Sequence, residues 1–390
     1  MVALVLVASL TACTGEGARF VDPDPAPTTP APPPVELTVT PAPGSTDVPL
    51  STEIEIDVSD GEVTAVTLVG EDGDTVTGAM REDGSSWVPD QPLTPETTYI
   101  ASVTATGPQG QQTTVETTFT TMSAPTNLTH TGLYLFDGEV YGVAMPVVVE
   151  FVQPVPEAAR ADVQRRMFVR TDPPQPGVWS WVPDGRQAFY RARDYWQPGT
   201  TIDVRIALGG HPTGDGRYGD TDRRATVTIG GETRMEVDNA TKQMSVYVDG
   251  QLIRQMPVSL GKPSTPSSSG TMVVMSKERE TVFDTYDELG PEEGYRVDIE
   301  YAMRLTWGGE YIHAAPWSVA DQGVRNVSHG CVNLSTENAA WLFNIAKIGD
   351  PVTVTGTEVA LSHGNGWTAW NLSWEEFIAG SALPVPVELR

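Results

Sequence analysis

The strongest constraint on the fold is a period-two alternation of apolar and polar residues, broken at short intervals by turn residues. Val35, Leu37 and Val39 alternate with polar neighbours, as do Ile54, Ile56 and Val58, and later Tyr99, Ala101 and Val103. That period puts successive side chains on opposite faces of a strand, so each run offers one apolar face to a core. Asp72-Gly73 and Asp83-Gly84 mark turns between the runs. Short alternating strands with regular turns predict a β-sandwich over 35–122. Val147, Val149 and Phe151, then Ile202, Val204 and Ile206, predict a second over 123–230. Two landmarks recur in order. Trp87-Val88-Pro89-Asp90 precedes Pro95-Glu96-Thr97-Thr98, and Trp181-Val182-Pro183-Asp184 precedes Pro198-Gly199-Thr200-Thr201. Their recurrence predicts two related sandwiches in tandem.

From 231 the texture changes. Met244, Val246 and Val248 lead through Asp249-Gly250 to Leu252, the pattern of a hairpin with a two-residue turn. One helix stands out. Ser335 is its expected N-cap, Glu337 suits the first turn, and Leu342, Phe343 and Ile345 give an apolar face. Lys347 is expected in its last turn and Gly349 at its end. The whole chain is therefore expected to be mainly β, with a β-rich third domain over 231–356 that carries this one main helix. A tail over 357–390 holds Trp367, Trp370 and Trp374. An exposed tail has no use for three tryptophans, so it is expected to pack on the third domain.

The charge is one-sided, 24 Lys+Arg against 51 Asp+Glu, a net of -27. No basic footprint exists for nucleic acid, so that class of partner is excluded. Of the two cysteines, Cys13 follows the apolar run Val2 to Leu10 through Leu10-Thr11-Ala12. This reads as a bacterial lipoprotein signal over 1–12, cleaved before a lipidated Cys13. It departs from the pattern in having no Lys or Arg before the run. The Pro-rich stretch over 13–34 reads as an extended linker. The expected location is the outer face of the bacterial membrane and the cell wall. With Cys13 committed to lipid, Cys331 has no intrachain partner, which makes it a candidate reactive thiol.

Cys331 lies in Ser328-His329-Gly330-Cys331-Val332-Asn333, and His313 begins His313-Ala314-Ala315-Pro316-Trp317-Ser318, eighteen residues before it. A free thiol has a pKa of about 8.5 and needs a base to become a nucleophile at neutral pH. An imidazole brought beside it by neighbouring strands can take the proton. Gly330 permits close backbone approach, and its amide is a candidate donor to an oxyanion. A metal site made of His313, His329 and Cys331 is the competing reading; no Cys-x-x-Cys or His-x-x-His spacing supports it. His130, His211 and His363 lack partner signals and are read as structural or surface residues.

These residues carry a resemblance. Ser328 to Asn333, with His313 upstream, resembles the signature of the L,D-transpeptidases with a YkuD-type catalytic domain. The Gly261-Lys262-Pro263 loop leading to Gly270-Thr271, and Gly294-Tyr295-Arg296, are also similar to that family. Two immunoglobulin-like domains, a lipoprotein signal and a Trp-rich tail match the layout of its mycobacterial and actinobacterial members. The resemblance implies Cys331 as nucleophile, His313 as general acid/base and His329 as an auxiliary. It implies substrate contacts by Tyr295, Gly308, Gly309, Trp317, Ser328 and Asn333. Relatives often have Ser where this chain has Ala314 and Gly308. The implied reaction joins two peptidoglycan tetrapeptide stems by a 3→3 cross-link. It runs through a thioester with release of D-alanine, needs no metal or cofactor, and is blocked by carbapenems and other β-lactams at the same thiol. An L,D-carboxypeptidase of the same fold and a non-catalytic wall-binding scaffold are the alternatives.

Overall fold

The computed structural model describes residues 35–390, apart from Thr285, Tyr295 and the side chains of residues 287–289 and 293. The expected signal, Cys13 and the linker fall outside the described residues.

The first sandwich pairs two four-stranded sheets. One runs in the order 36–40, 54–59, 86–89, 78–80, and the other 45–48, 112–121, 98–106, 62–70. The alternating residues meet between them: Ile54, Leu68, Trp87, Tyr99, Ala101, Val103 and Phe119 are buried in one cluster. The second sandwich repeats this plan strand for strand. Its sheets run 131–133, 147–151, 187–192, 177–181 and 140–141, 223–229, 201–206, 167–172. Even the parallel pairing of the second strand with the last is kept in both. The sequence landmarks are only half equivalent, however. The Pro-to-Thr segments both lead into matching strands, 98–106 and 201–206. Trp87 sits on strand 86–89, whose counterpart is 187–192, whereas Trp181 ends strand 177–181, one position earlier. The two tryptophans fill the same kind of core from different strands.

Helix α1 (Glu157–Arg165) is added to the second sandwich and was not legible as an apolar stripe, because it buries only Val163 and Gln164. The two sandwiches are joined by a buried ionic contact. Glu53 of the first bonds both Arg81 of its own sandwich, at 2.5 Å, and Arg166 of the second, at 2.5 Å.

The third domain holds a six-stranded sheet in the order 251–257, 243–248, 233–238, 351–355, 268–273, 359–360. Against it lies a four-stranded sheet in the order 276–284, 296–304, 311–314, 332–334. Asp249 (φ 48) and Gly250 (φ 75) turn the expected hairpin with positive φ at both central positions. Strands 276–284 and 296–304 form a long hairpin whose tip carries α2 (Tyr286–Glu293), two short helical pieces broken at Gly290 (φ 73, ψ 177). Helix α3 (Thr336–Ile345) starts at Ser335, whose Oγ accepts the Asn338 N–H at 3.2 Å. It ends earlier than its sequence implied. Ala346 is already extended, and Lys347 and Gly349 lie in the turn beyond it. The Asp350 carboxylate takes the Lys347 N–H at 2.7 Å and the Lys347 ammonium at 3.3 Å, so a local turn outcompetes a further helical residue.

The tail does touch the third domain, where Asn371 Oδ1 accepts the Thr271 N–H at 3.1 Å. Its aromatic residues, however, pack chiefly on the second sandwich rather than where they were expected. Trp367, Trp374 and Phe377 belong to that sandwich's buried cluster, and Trp370 Nε1 donates to the Ala144 carbonyl at 2.7 Å. The reason is Arg191, a buried cation of the second sandwich. Its guanidinium lies over the rings of Trp370, Trp374 and Phe377 and donates to the Ala369 and Leu372 carbonyls. Helix α4 (Trp374–Ala379) carries two of these rings and opens with a Ser373/Glu376 capping box.

Candidate active site

Strand 311–314 pairs in parallel with strand 332–334, placing His313 opposite Asn333. Period-two alternation then puts the side chains of His313, Asn333 and Cys331 on one face of the sheet. Cys331 is the residue just before its strand, so strand pairing is what closes the eighteen-residue gap. Phe283, His313, Trp317, His329, Cys331 and Asn333 line one cavity of about 360 Å³, and Ser328 borders it.

His313 is 4% exposed and its ring is fixed on three sides. Nδ1–H donates to the Ala314 carbonyl oxygen at 2.8 Å. Phe283 meets the ring edge-on at 5.4 Å, and Trp317 lies 6.1 Å away. With Nδ1 engaged as a donor, Nε2 is the atom left to accept a proton. The backbone carbonyl therefore orients His313, and the methyl group of Ala314 costs nothing in that role.

Burial pushes His313 down to about 4, against a small upward pull from the Ala314 carbonyl. Burial pushes the Cys331 thiol up to about 12; the Tyr311 N–H lowers it and the Glu310 carboxylate raises it. The resting pair is a neutral thiol and a neutral imidazole. The thiol points at the Gly309 carbonyl oxygen, 3.6 Å away.

Gly330 has φ +126, a conformation that requires glycine. Its carbonyl accepts from Ser267 Oγ at 2.6 Å. Its N–H, expected to face an oxyanion, donates instead to Ser328 Oγ at 3.2 Å, and that hydroxyl donates to the Cys331 carbonyl at 2.6 Å. Ser328, expected to contact substrate, thus braces the Gly330-Cys331 turn from within. His329 receives Lys262 Nζ at Nε2, 3.0 Å. Asn333 Nδ2 donates to Ser318 Oγ at 3.2 Å, while its buried Oδ1 has no partner among the described residues. Trp317 stands 58% exposed at the rim. Gly309 reaches the sulfur through its carbonyl; Gly308 turns away and donates its N–H to Asn365 Oδ1 at 2.8 Å. Tyr295 is outside the described residues.

Three further residues enter the site without having been singled out. Phe283 is one of two apolar residues, with Val282, near the end of a polar strand. Lys262 was visible only as part of a loop. Glu310, held by Ser268 Oγ at 2.7 Å, has no neighbour in sequence that marks it. His130 pairs loosely with Asp220 on the surface, His211 Nδ1 meets Ser51 Oγ between the sandwiches, and His363 packs on Phe189. None of the three lines the cavity.

Comparison with known proteins places these observations. A bacterial Ig domain model matches residues 45–212, and an L,D-transpeptidase catalytic domain model matches 232–354. L,D-transpeptidase 2 of Mycobacterium tuberculosis (strain CDC 1551 / Oshkosh) is 34% identical over 339 residues, covering 86% of this chain and 82% of the relative. L,D-transpeptidase 5 of Mycobacterium tuberculosis (strain H37Rv) is 36% identical over 348 residues, covering 87% of this chain and 75% of the relative. A solved L,D-transpeptidase in complex with imipenem is 35% identical, with 59% of this chain and all of that chain covered at a TM-score of 0.49.

Proposed function

The chain belongs to the L,D-transpeptidase family and is an acyltransferase, and from that premise we propose that Cys331 and His313 carry the reaction through a thioester. The observation behind this reading is the His313 ring, locked through Nδ1 to the Ala314 carbonyl, with its basic Nε2 left for the thiol in a shared cavity.

The donor is a tetrapeptide stem. As the sulfur attacks the carbonyl of its third residue, the S–H bond breaks and the proton passes to His313 Nε2. The neutral resting pair means that this transfer accompanies attack rather than preceding it. The Cys331 N–H is the first candidate donor to the oxyanion, and the Gly330 N–H joins it on leaving Ser328 Oγ. Collapse breaks the peptide C–N bond, and imidazolium returns its proton to the departing D-alanine. The acyl group now rests on sulfur. A side-chain amine of a second stem attacks it, His313 takes the amine proton and returns it to the sulfur as the C–S bond breaks, which gives a 3→3 cross-link and restores the neutral thiol and imidazole. His329, held by Lys262, Trp317 at the rim, and Asn333 Oδ1 bound the volume in which the stems would lie. Carbapenems acylate the same thiol. Lipidation of Cys13 would tether this chemistry to the outer face of the membrane, with both sandwiches as spacers.

Intact-mass measurement with a carbapenem tests the nucleophile. One covalent adduct is expected on the wild type and none on Cys331→Ala; an adduct on both would overturn the reading. Incubation with disaccharide-tetrapeptide tests the acceptor. Cross-linked dimer is expected, whereas tripeptide alone would make the enzyme a carboxypeptidase.

A further inference from the structure

The carbonyl that faces the nucleophile belongs to Gly309, in the turn between strands 296–304 and 311–314. This turn is closed by the Leu305 N–H on the Glu310 carbonyl at 2.9 Å and by the Glu310 N–H on Thr306 Oγ1 at 3.0 Å, and these bonds leave the Gly308-Gly309 peptide at its tip less firmly held. Gly309 N–H reaches the Thr306 carbonyl only at 3.4 Å, and Gly309 itself has φ +88. At that tip a contact comes from the tail, where Asn365 Oδ1 accepts the Gly308 N–H at 2.8 Å.

The tail segment is in turn fixed to the second sandwich. A Cβ at Gly366 would lie 2.9 Å from the Leu305 carbonyl oxygen and 3.2 Å from Thr306 Cα, so the tail backbone runs directly against the base of the turn. Two residues on, Thr368 is fully buried and takes the Gly364 N–H at 2.8 Å. Trp367 stacks obliquely on Tyr134 of the second sandwich at 5.2 Å, and Trp307, which precedes Gly308, meets the same Tyr134 at 6.1 Å. Beyond them the Arg191 clamp holds Ala369 to Phe377.

We propose that Asn365 is a positioning residue for the transpeptidase reaction: its bond to Gly308 fixes the Gly309 carbonyl as acceptor of the resting Cys331 thiol, and so lets the tail and second sandwich set the state of the nucleophile. This rests on Cys331 being the nucleophile. An acceptor for S–H stabilises the thiol and opposes the thiolate. The other titratable groups facing Cys331 are His313 and Tyr311 on its partner strand, Glu310 before them, and His329 with Lys262 beside it. None is altered by changing Asn365.

The test is the pH dependence of iodoacetamide alkylation, followed by mass on the peptide containing Cys331, in the full chain. Asn365→Ala is expected to shift the alkylation profile to lower pH, with the rate at neutral pH raised roughly threefold or more. Asn365→Asp keeps an acceptor for the Gly308 N–H and is expected to hold its profile at or above that of the wild type. Asn365→Ser, too short to reach, should follow the alanine variant and serves in its place if that variant folds poorly. Deuterium exchange over 305–311 should quicken in the alanine and serine variants and not in the aspartate one. A profile for Asn365→Ala that superimposes on the wild type would overturn the proposal. So would an equal shift in the alanine and aspartate variants. Because alkylation needs no catalytic turnover, either failure leaves the carbapenem test of Cys331 standing on its own.

Discussion

A backbone carbonyl, that of Ala314, holds the catalytic ring where no side chain does. It fixes the His313 tautomer from the adjacent residue, so the orientation survives any small residue at 314. The buried ring also has a consequence for pH. His313 serves as a base only when neutral, and burial holds it near 4 rather than 6.5. The acid limb of carbapenem acylation is therefore expected well below pH 6.5, read from loss of carbapenem absorbance at stepped pH. A limb at or above 6.5 would exclude this histidine as the base. The same shift bears on stability. The unfolded chain takes up the proton near 6.5 and the folded one only near 4, so stability from the neutral ring is present above 6.5 and lost as pH falls toward 4. At Gly330 the requirement is conformational rather than spatial. An added Cβ would meet Glu310 Cγ at an ordinary 3.6 Å, but φ +126 remains. Gly330→Ala is expected to cost about 1–3 kcal/mol in denaturant unfolding and to slow acylation with it.

Among the elements, α3 rests on a cap. Ser335→Ala removes the acceptor for the Asn338 N–H and is expected to cost about 1 kcal/mol by urea unfolding, with the acylation rate little changed because the cap is four residues beyond Cys331. The strands were readable because alternation and burial coincide: Tyr99, Ala101, Val103 and Phe119 sit in one core as their spacing implies. Cys331 and His313 were readable because reactive types share a short window. The end of α3 was not, since it depends on Asp350 capturing Lys347 in a local turn. The short α4 was missed although Ser373 and Glu376 spell a capping box, because three tryptophans there were read for burial alone. The bond between Gly330's amide and Ser328's hydroxyl was not legible for a simple reason. A sequence gives the donors in a turn and not which of them satisfy one another. Asn365 had no local signal at all, since its partner is 57 residues away in sequence.

Across the whole molecule, ionic and backbone joints link the domains in series. Burial would raise the Glu53 carboxyl, but Arg81, Arg166 and Ser86 outweigh it and hold it at about 2. A carboxyl lowered in the folded state gives stability that is full above its unfolded value of 4.5 and lost as pH falls toward 2. Glu53→Gln leaves Arg166 buried without its counter-charge. It is expected to destabilise the joint at neutral pH by about 3–5 kcal/mol and to flatten the acid dependence of melting between pH 4.5 and 2, both measured by calorimetry. The second joint is the close approach of Gly142 to the third domain. Its N–H donates to the Ile348 carbonyl at 2.7 Å, and a Cβ there would lie 2.2 Å from Asp350 Oδ1 and 2.3 Å from Asp350 N. Gly142→Ala forces backbone apart and is expected to lower the melting temperature by several degrees, at about 1–3 kcal/mol.

The tail's return to the second sandwich also decides how tension travels through the chain. The backbone leaves that sandwich near 230, builds the catalytic fold, and comes back to be gripped by Arg191 at 369–377. A pull applied between the two chain ends passes from the second sandwich straight into the docked tail. The catalytic fold then hangs as a slack loop beside the line of force, sheltered until the aromatic grip shears away.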